Sequence, residues 1–464
     1  MRGASVREHR ASILVAALGS AFGVALLQIV GALDTAIRGD AVSAHSTVTI
    51  ALALVAAVFI AIAVYVSSVV TTNTFATIIA GRTRTIALLR LIGSSASAQR
   101  RAVALEGLVV GLAGSVIGAL AGTGVAFAVV QYAVSAGMLP EAGYRYTEPV
   151  VLLPAAVVVL STWLASWVGS RRVLDVTPMQ AVGSSQEASH EETLRHPLRH
   201  AAAIVLFVTG MGLLAAGILV GLVTVFGLLI SLAGGILSFT GLVLGSQLIM
   251  PPALRLAGRM MGSGPAARLA AANAVRYPER SSRTTIGLVI GVTLVTMFAV
   301  AMESYREMIH RAQQAQPELY QGTDQVLAMT LAVFAVLIGF SALIAAVGMV
   351  NNLSLSVLQR QRELGLLRAL GFTGGQARRM IVAEAAQMSV AAAGVGLILG
   401  VFYGWAGAQS LLGSVEGSGF VPPSVPWALL VTVAAAAALL TVVASVAPSR
   451  RATRITPVEA LVFE

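Results

Sequence analysis

The 464 residues are 57% hydrophobic and 11% charged, with a mean hydropathy of +0.86. Soluble domains carry about twice that charge, so composition excludes a water-soluble globular class and points to a polytopic membrane protein. There is no cysteine and no lysine, and all 30 basic residues are arginine, which excludes disulfides, Cys-ligated metals and a phosphate-binding-loop lysine within these residues.

Residues 1–11 are short and basic. Ser12–Leu33, about 22 residues, is the first predicted span; it is too long for a signal-peptide core and no clear cleavage site follows, so it reads as an uncleaved anchor. After a brief loop (Asp34–Ser46), Thr47–Val70 is the second span, and residues 71–102 hold an amphipathic, arginine-bearing segment. Val103–Val134 is long enough to cross with tilt. Its Gly107, Gly111, Gly114, Gly118 and Gly122 mark a face for close helix approach; packing outweighs a substrate path as their reading. A loop with Pro140 and Pro149 leads to the fourth span, about Val150–Val168. Residues 171–200 are the most polar stretch. His196 and His200 lie four apart, but Pro197 lies between them and no third ligand is evident, so a solvated linker outweighs a metal site.

Ala201–Met250 fits two spans joined by a tight turn near Gly221, and Leu254–Ser282 is basic. Ile286–Met302 is the core of the seventh span, Glu303–Asp324 is polar, and Leu327–Val350 is the eighth span. Asn351–Glu384 is a second arginine-rich segment. There Glu363, Leu366, Leu367 and Leu370 fall at i, i+3, i+4 and i+7, one face of a short helix that Gly371 ends. Ile381–Leu412 follows as the ninth span, with Gly394, Gly396, Gly400 and Gly404. Beyond Pro422, Pro423 and Pro426, Trp427–Val446 is the tenth.

The two halves repeat. RTIALLRLIG (Arg84–Gly93) aligns without a gap on RELGLLRALG (Arg362–Gly371), 278 residues later. Thr85, Leu88, Leu89 and Ile92 take the places of Glu363, Leu366, Leu367 and Leu370, and Arg90 that of Arg368. In the same register Asn73 matches Asn351, Arg82 matches Arg360, Arg100-Arg101 match Arg378-Arg379, and Glu106 matches Glu384. A second echo pairs Ser170–Val182 with Ser449–Leu461. Such a period marks a duplicated domain.

The motif R-x-R-E-L-G-L-L-R-A-L-G (Arg360–Gly371) and the closing R-R-A-x-R-I-T-P-V-E-A-L resemble the FtsX/MacB-type permeases of ABC transporters. The resemblance covers both halves, the first as a weaker copy with Thr85 where the family has Glu. It implies the coupling residues: Arg84, Thr85, Leu88, Leu89, Arg90 and Gly93 in the first half, and Arg360, Arg362, Glu363, Leu366, Leu367, Arg368, Leu370 and Gly371 in the second. Leu254–Ser282 resembles the family's interfacial helix.

The expected fold is an all-α polytopic membrane protein of ten transmembrane helices. Two parallel four-helix repeats, 1–183 and 251–464, flank a linker, 184–200, and an inserted helix pair, 201–250. With the amino terminus inside, only Arg38, Arg145, Arg306 and Arg311 of the 30 arginines lie outside. The positive-inside rule selects that orientation, both termini cytoplasmic in a bacterial plasma membrane. The repeats are then parallel, unlike the inverted pair common in secondary transporters.

The span centres hold no Asp, Glu, Arg or His, which argues against a proton antiporter; no HExxH or GxSxG motif supports a protease or lipid hydrolase. Glu106 and Glu384 begin their spans, where the helix N-terminus favours a carboxylate; the alternative is a hinge pairing with a nearby Arg. Glu363 opens an apolar stripe and needs a partner wherever that stripe is buried, either on an ATPase subunit or on an intrachain Arg.

The resemblance further implies a non-enzymatic permease subunit working with two copies of an ABC ATPase, which would bind ATP and Mg. One chain with both halves would replace the usual permease dimer. External loops of about 13 and 22 residues leave no large extracytoplasmic domain. A lipophilic or amphiphilic substrate taken from membrane lipid therefore fits better than capture by an external domain, and no nucleic acid is implied. The main rival is a non-transporting, ATP-driven signal transmitter acting on a cell-envelope enzyme; a secondary transporter is third. Gly107, Gly111, Gly118, Gly122, Gly396, Gly400 and Gly404 are assigned to helix packing.

Overall fold

The computed structural model describes residues 2–39, 46–137, 139–144, 146, 149, 152–175, 197–260, 271–272, 278–318, 338–340, 342–343, 373–415 and 419–452. Within them the long elements are all α-helices: α1 (Arg2–Gly39), α2 (Ser46–Gly81), α3 (Thr83–Leu91), α4 (Ala96–Ser135), α5 (Leu152–Gly169), α6 (Arg172–Asp175), α7 (Pro197–Gly221), α8 (Gly227–Leu244), α9 (Ser246–Met260), α10 (Pro278–Ala315), α11 (Gly374–Leu412) and α12 (Trp427–Ala452). Eight of these (α1, α2, α4, α5, α7, α8, α10 and α11) are long and apolar enough to cross a membrane, and α12 carries a shorter apolar stretch, Trp427–Leu439. The chain is a multi-pass membrane protein. Eight of the ten expected spans thus have a counterpart; the eighth, Leu327–Val350, lies outside the described residues except for 338–340 and 342–343.

Local chemistry sets the helix ends, and twice it moves them from the expected places. The third span begins at Ala96, not Val103, because Ser95 adopts an extended backbone and its hydroxyl accepts the Ala98 N–H at 3.2 Å. Such a cap satisfies a donor that the helix itself cannot. Thr373 does the same for α11: its hydroxyl accepts the Gln376 N–H at 3.3 Å, and the Gln376 side chain accepts the Thr373 N–H at 2.9 Å. This is a capping box. Ser95 and Thr373 stand 278 residues apart, the register of the repeat. The seventh helix runs past Met302 to Ala315, through a stretch expected to be a polar loop. Met308 and Ala312, one turn apart, are buried there, with Met308 packed near Ala408 and Val421, while Glu307 and Arg311 pair at 2.9 Å. An i, i+4 apolar pair on one face and an ion pair on the other make that segment an amphipathic helix.

Within each half, glycines set the closest contacts. On α4, a Cβ at Gly118 or Gly122 would run into the Ala17 or Ala21 carbonyl of α1. Closer to the start of α4, Gly107 and Gly111 face Ser166 and Thr162 of α5. On α11, a Cβ at Gly396 would come within 2.7 Å of the Val292 side chain, and Gly400 and Gly404 face Thr296 and Met297 of α10. Gly118 and Gly396, like Gly122 and Gly400, are 278 apart, so α1 against α4 and α10 against α11 are the same joint built twice. Without a hydrophobic driving force between helices in lipid, such small-residue contacts hold membrane helices together through van der Waals packing.

The halves meet along two aromatic contacts. Phe59 of α2 stands edge-on to Phe298 of α10, with ring centroids 5.6 Å apart, and Phe22 of α1 stands edge-on to Phe340 at 5.6 Å. The α7–α8 pair closes through Leu222–Phe226 into a hairpin whose Gly210, Gly217, Gly234 and Gly241 bring the two backbones together. It seats at the α2–α10 seam. Tyr65 of α2 hydrogen-bonds Thr240 at 2.8 Å, while Tyr403 and Ser410 of α11 pair with Ser238 and Ser231. At the far end of α11, the Trp405 indole donates to the Val421 carbonyl at 2.6 Å. Gln409 donates to the Gly419 carbonyl at 2.9 Å and accepts the Val421 N–H at 3.1 Å.

Candidate functional site

The arginine-bearing segment of the first half folds as α3, a nine-residue helix separated from α2 by one non-helical residue, Arg82. The chain bends there without losing its hydrogen bonds: the Arg82 N–H still reaches the Ile78 and Ile79 carbonyls, and the Ile86 N–H reaches the Arg82 carbonyl at 2.9 Å. Gly93 stops α3 at a φ of +100°, a region an L side chain enters only with strain. Around it the Gly93 N–H bonds the Arg90 carbonyl at 3.2 Å and the Ser94 N–H bonds the Leu89 carbonyl at 2.9 Å. That pattern is a Schellman stop.

Ile86 and Ala87 are the inward face of α3. They pack with Ile79 of α2, Val103 of α4 and Val173 of α6, and Ala87 is fully buried. The stripe proposed from spacing lies elsewhere: Thr85, Leu88 and Ile92 are exposed and Leu89 is half-buried. Leu88 is 49% exposed and Ile92 81%, and Leu91, outside the spacing argument, is 52% exposed. Three large apolar side chains on one short helix therefore face away from the chain's own core. Arg90 is half-buried beside them, and the side chain of Arg84 is outside the described set.

Two contacts fix α3 to the bundle. Arg82 Nη1 lies 3.3 Å from Glu106 Oε2 on α4, each side chain about one-third exposed (30% and 37%). Glu106 is ten residues past the α4 start, roughly 15 Å along the axis at the α-helical rise. A helix dipole acts within its first turn, so the ion pair, not the dipole, accounts for this carboxylate. Arg100 then locks the start of α4 to the end of α5: its guanidinium stacks 4.1 Å over the Trp167 ring, and its Nε donates to Ser170 Oγ at 3.3 Å. The helix so held carries Val173, one of the residues under α3.

In the second half, Arg360, Arg362, Glu363, Leu366, Leu367, Arg368, Leu370 and Gly371 lie outside the described residues. Glu384, which matches Glu106, is described: it is 2% exposed on α11. Three residues on, Gln387 donates to the Leu254 carbonyl of α9 at 2.7 Å. His196 lies outside the described residues, and His200 sits in the first turn of α7. Sequence reasoning missed Leu91, the Arg100–Trp167 stack and the α9 contact.

The FtsX-like permease C-terminal family model matches the chain twice, over residues 57–178 and 332–457, together more than half of it. Each match takes in one arginine-bearing segment. Among curated relatives, the ABC transporter permease YknZ of Bacillus subtilis (strain 168) is 26% identical over 147 residues, 32% of this chain and 35% of that protein. The ABC transporter permease MJ1507 of Methanocaldococcus jannaschii is 30% identical over 121 residues, 26% of this chain and 30% of that one. The macrolide export ATP-binding/permease protein MacB of Rhodopirellula baltica is 33% identical over 150 residues, 32% of this chain and 20% of that one. The chain thus spans at most 35% of the length of these relatives.

Proposed function

The chain belongs to the FtsX-like permease family, and from that premise we propose that it is the membrane subunit of an ABC transporter, driven by separate ATPase subunits. The observation that carries the proposal is the outward-facing apolar surface of α3. Leu88, Leu91 and Ile92 stay exposed while Ile86 and Ala87 anchor the helix from below. Exposed apolar clusters rimmed by polar residues mark protein contact sites.

Motion of a docked ATPase has two physical routes into the bundle. One runs through Arg82 into α2, because the hydrogen-bond ladder continues across the bend. The other runs through the Arg82–Glu106 pair into α4, which packs on both α1 and α5. Residues 362–371 offer the equivalent surface in the second half, with Glu363 where the first half has Thr85. Two ATPase copies then serve one permease chain. ATP and Mg are held by those subunits, since these 464 residues contain no lysine for a phosphate-binding loop. The α3 end is cytoplasmic, as the arginine distribution requires. Without a large external domain, the substrate is a lipophilic or amphiphilic molecule taken from the bilayer and exported or extracted.

Purified chain mixed with its ATPase tests this directly. ATP hydrolysis should need both proteins, and Leu88→Glu and Ile92→Glu should abolish ATPase capture while the chain stays folded. Full ATPase binding by both variants would overturn the docking assignment.

A further inference from the structure

Where the α7–α8 hairpin meets the α2–α10 seam, the helices leave a partly open cavity of about 140 Å³. Its walls come from every part of the chain: α2, the hairpin, α10 and α11. Among the described lining residues none is charged; the walls are aliphatic and aromatic, with a few hydroxyls. Most of those hydroxyls are already engaged. Tyr65 bonds Thr240, Tyr403 bonds Ser238, and Ser231 bonds Ser410. Thr293 differs: it is 2% exposed, lines the cavity, and its Oγ1 has no hydrogen-bond partner. A buried hydroxyl left unpaired is costly, more so at hydrocarbon depth, where no water replaces the missing partner.

We propose that this cavity binds an uncharged acyl group, whose chain lies against Phe59, Phe239 and Phe298 and whose carbonyl oxygen accepts the Thr293 hydroxyl. An uncharged lining excludes a phosphate or carboxylate at this place, because an ion there would be unpaired in a low-dielectric site. Size supports a single chain: an apolar cavity of about 150 Å³ takes a molecule such as benzene, so this one holds part of one chain, the remainder passing out through its open side. Depth separates the ligand from ordinary boundary lipid. Thr293 lies eight residues into the apolar segment of α10 that begins at Thr285, roughly 12 Å along the axis. Lipid ester groups reside at the interface, so a carbonyl at Thr293 belongs to a molecule drawn into the protein. The site rests on the permease reading for its meaning as a substrate site, but not for its existence.

The structure also supplies clean probes. Gly235 and Gly407 line the cavity, and a Cβ on either would meet nothing within 4 Å. Gly235→Leu and Gly407→Leu therefore fill the space without disturbing the backbone. Gly212→Leu, equally unobstructed but away from the cavity, is the control. The purified chain in lipid nanodiscs, without any ATPase, is photolabelled with a diazirine-bearing methyl palmitate analogue and with the matching ether that lacks the carbonyl, and the labelled peptides are mapped.

Labelling should fall on α2, α8 and α10, drop to background in both cavity-filling variants, and persist in Gly212→Leu. Thr293→Val, nearly isosteric, should weaken ester labelling by roughly two- to tenfold, the worth of one neutral hydrogen bond, and leave ether labelling unchanged. Persistent labelling in the filled variants, or equal loss in Gly212→Leu, overturns the site; equal behaviour of ester and ether in Thr293→Val overturns the carbonyl contact. Because no ATPase takes part, a chain that labels as expected yet supports no ATP-coupled activity keeps the site and loses the transporter reading.

Discussion

Arg82 and Glu106 are joined by an ion pair of 3.3 Å that ties the bend between α2 and α3 to the third membrane helix. It connects the one short helix that offers an apolar face outward with a helix that packs on two others. Pairs this exposed contribute about 0–1 kcal/mol to stability. Their value here is positional.

Glu106→Gln should accordingly change unfolding free energy by less than about 1 kcal/mol while lowering ATPase coupling. The swapped pair, Arg82→Glu with Glu106→Arg, should restore coupling in part. The repeat register places Arg360 opposite Glu384, and Glu384 is 2% exposed. Loss of a buried charge partner is more costly, so Glu384→Gln should be the more damaging of the two. Chemical denaturation in detergent and ATPase assays on the four variants decide the matter; equal effects of the two Gln variants would count against a matched pair of latches.

Gly93→Ala should cost about 1 kcal/mol, because the φ of +100° is unsuited to a Cβ. Gly93→Asn should cost less. Hydrogen exchange across residues 88–94 reads the change locally: faster exchange at Gly93 and Ser94, with α4 beyond Ser95 unaltered, is the expected pattern.

The two faces of α3 should separate stability from docking. Ile86→Ala removes a side chain that is 6% exposed and should cost about 2–5 kcal/mol. Leu91→Ser should stay within about 0.5 kcal/mol, as surface changes do, yet weaken ATPase capture. Thermal melts paired with pull-downs would show this as opposite rankings for the two variants.

The halves should also be unequal. A charge-assisted hydrogen bond from Glu363 to a partner is worth ~1.5–3 kcal/mol, against about 1 kcal/mol for a neutral Thr85 contact. Glu363→Ala should then reduce coupled ATP hydrolysis far more than Thr85→Ala, with expression unchanged. Matching activities would make the Glu–Thr difference drift.

In this cysteine-free chain, cysteines introduced at Ser94 and Gly143 test orientation. An impermeant thiol reagent applied to intact cells should label Gly143→Cys and spare Ser94→Cys; the reverse pattern would turn the protein over and remove the ATPase from α3.

The duplication could be read from sequence because Ser95 and Thr373, or Gly118 and Gly396, keep one offset through more than a hundred residues. Hydropathy located eight of the described spans for a similarly local reason. Periodicity was weaker at helix ends: Glu303–Ala315 looked like loop because its charges outnumber Met308 and Ala312, the two residues whose burial settles it. It also misjudged α3, where Leu91 is exposed and Leu89 only half so, since the inward face of a nine-residue helix depends on what lies beneath it. Arg82–Glu106, Arg100–Trp167 and Tyr403–Ser238 were not foreseeable as contacts, being joined across 24, 67 and 165 residues by tertiary packing alone.

The hairpin has a further consequence. Two identical subunits related by a twofold axis would present two equivalent seams, Phe59–Phe298 and Phe22–Phe340 being images of one another. A single hairpin, seated on the first seam alone, breaks that equivalence. Any ligand whose site borrows a wall from the hairpin binds once per chain, while ATPases docking on the duplicated segments still bind twice. Two hydrolysis events therefore bear on a single cargo position, and the two ATP sites become kinetically distinguishable even when the ATPase subunits themselves are identical.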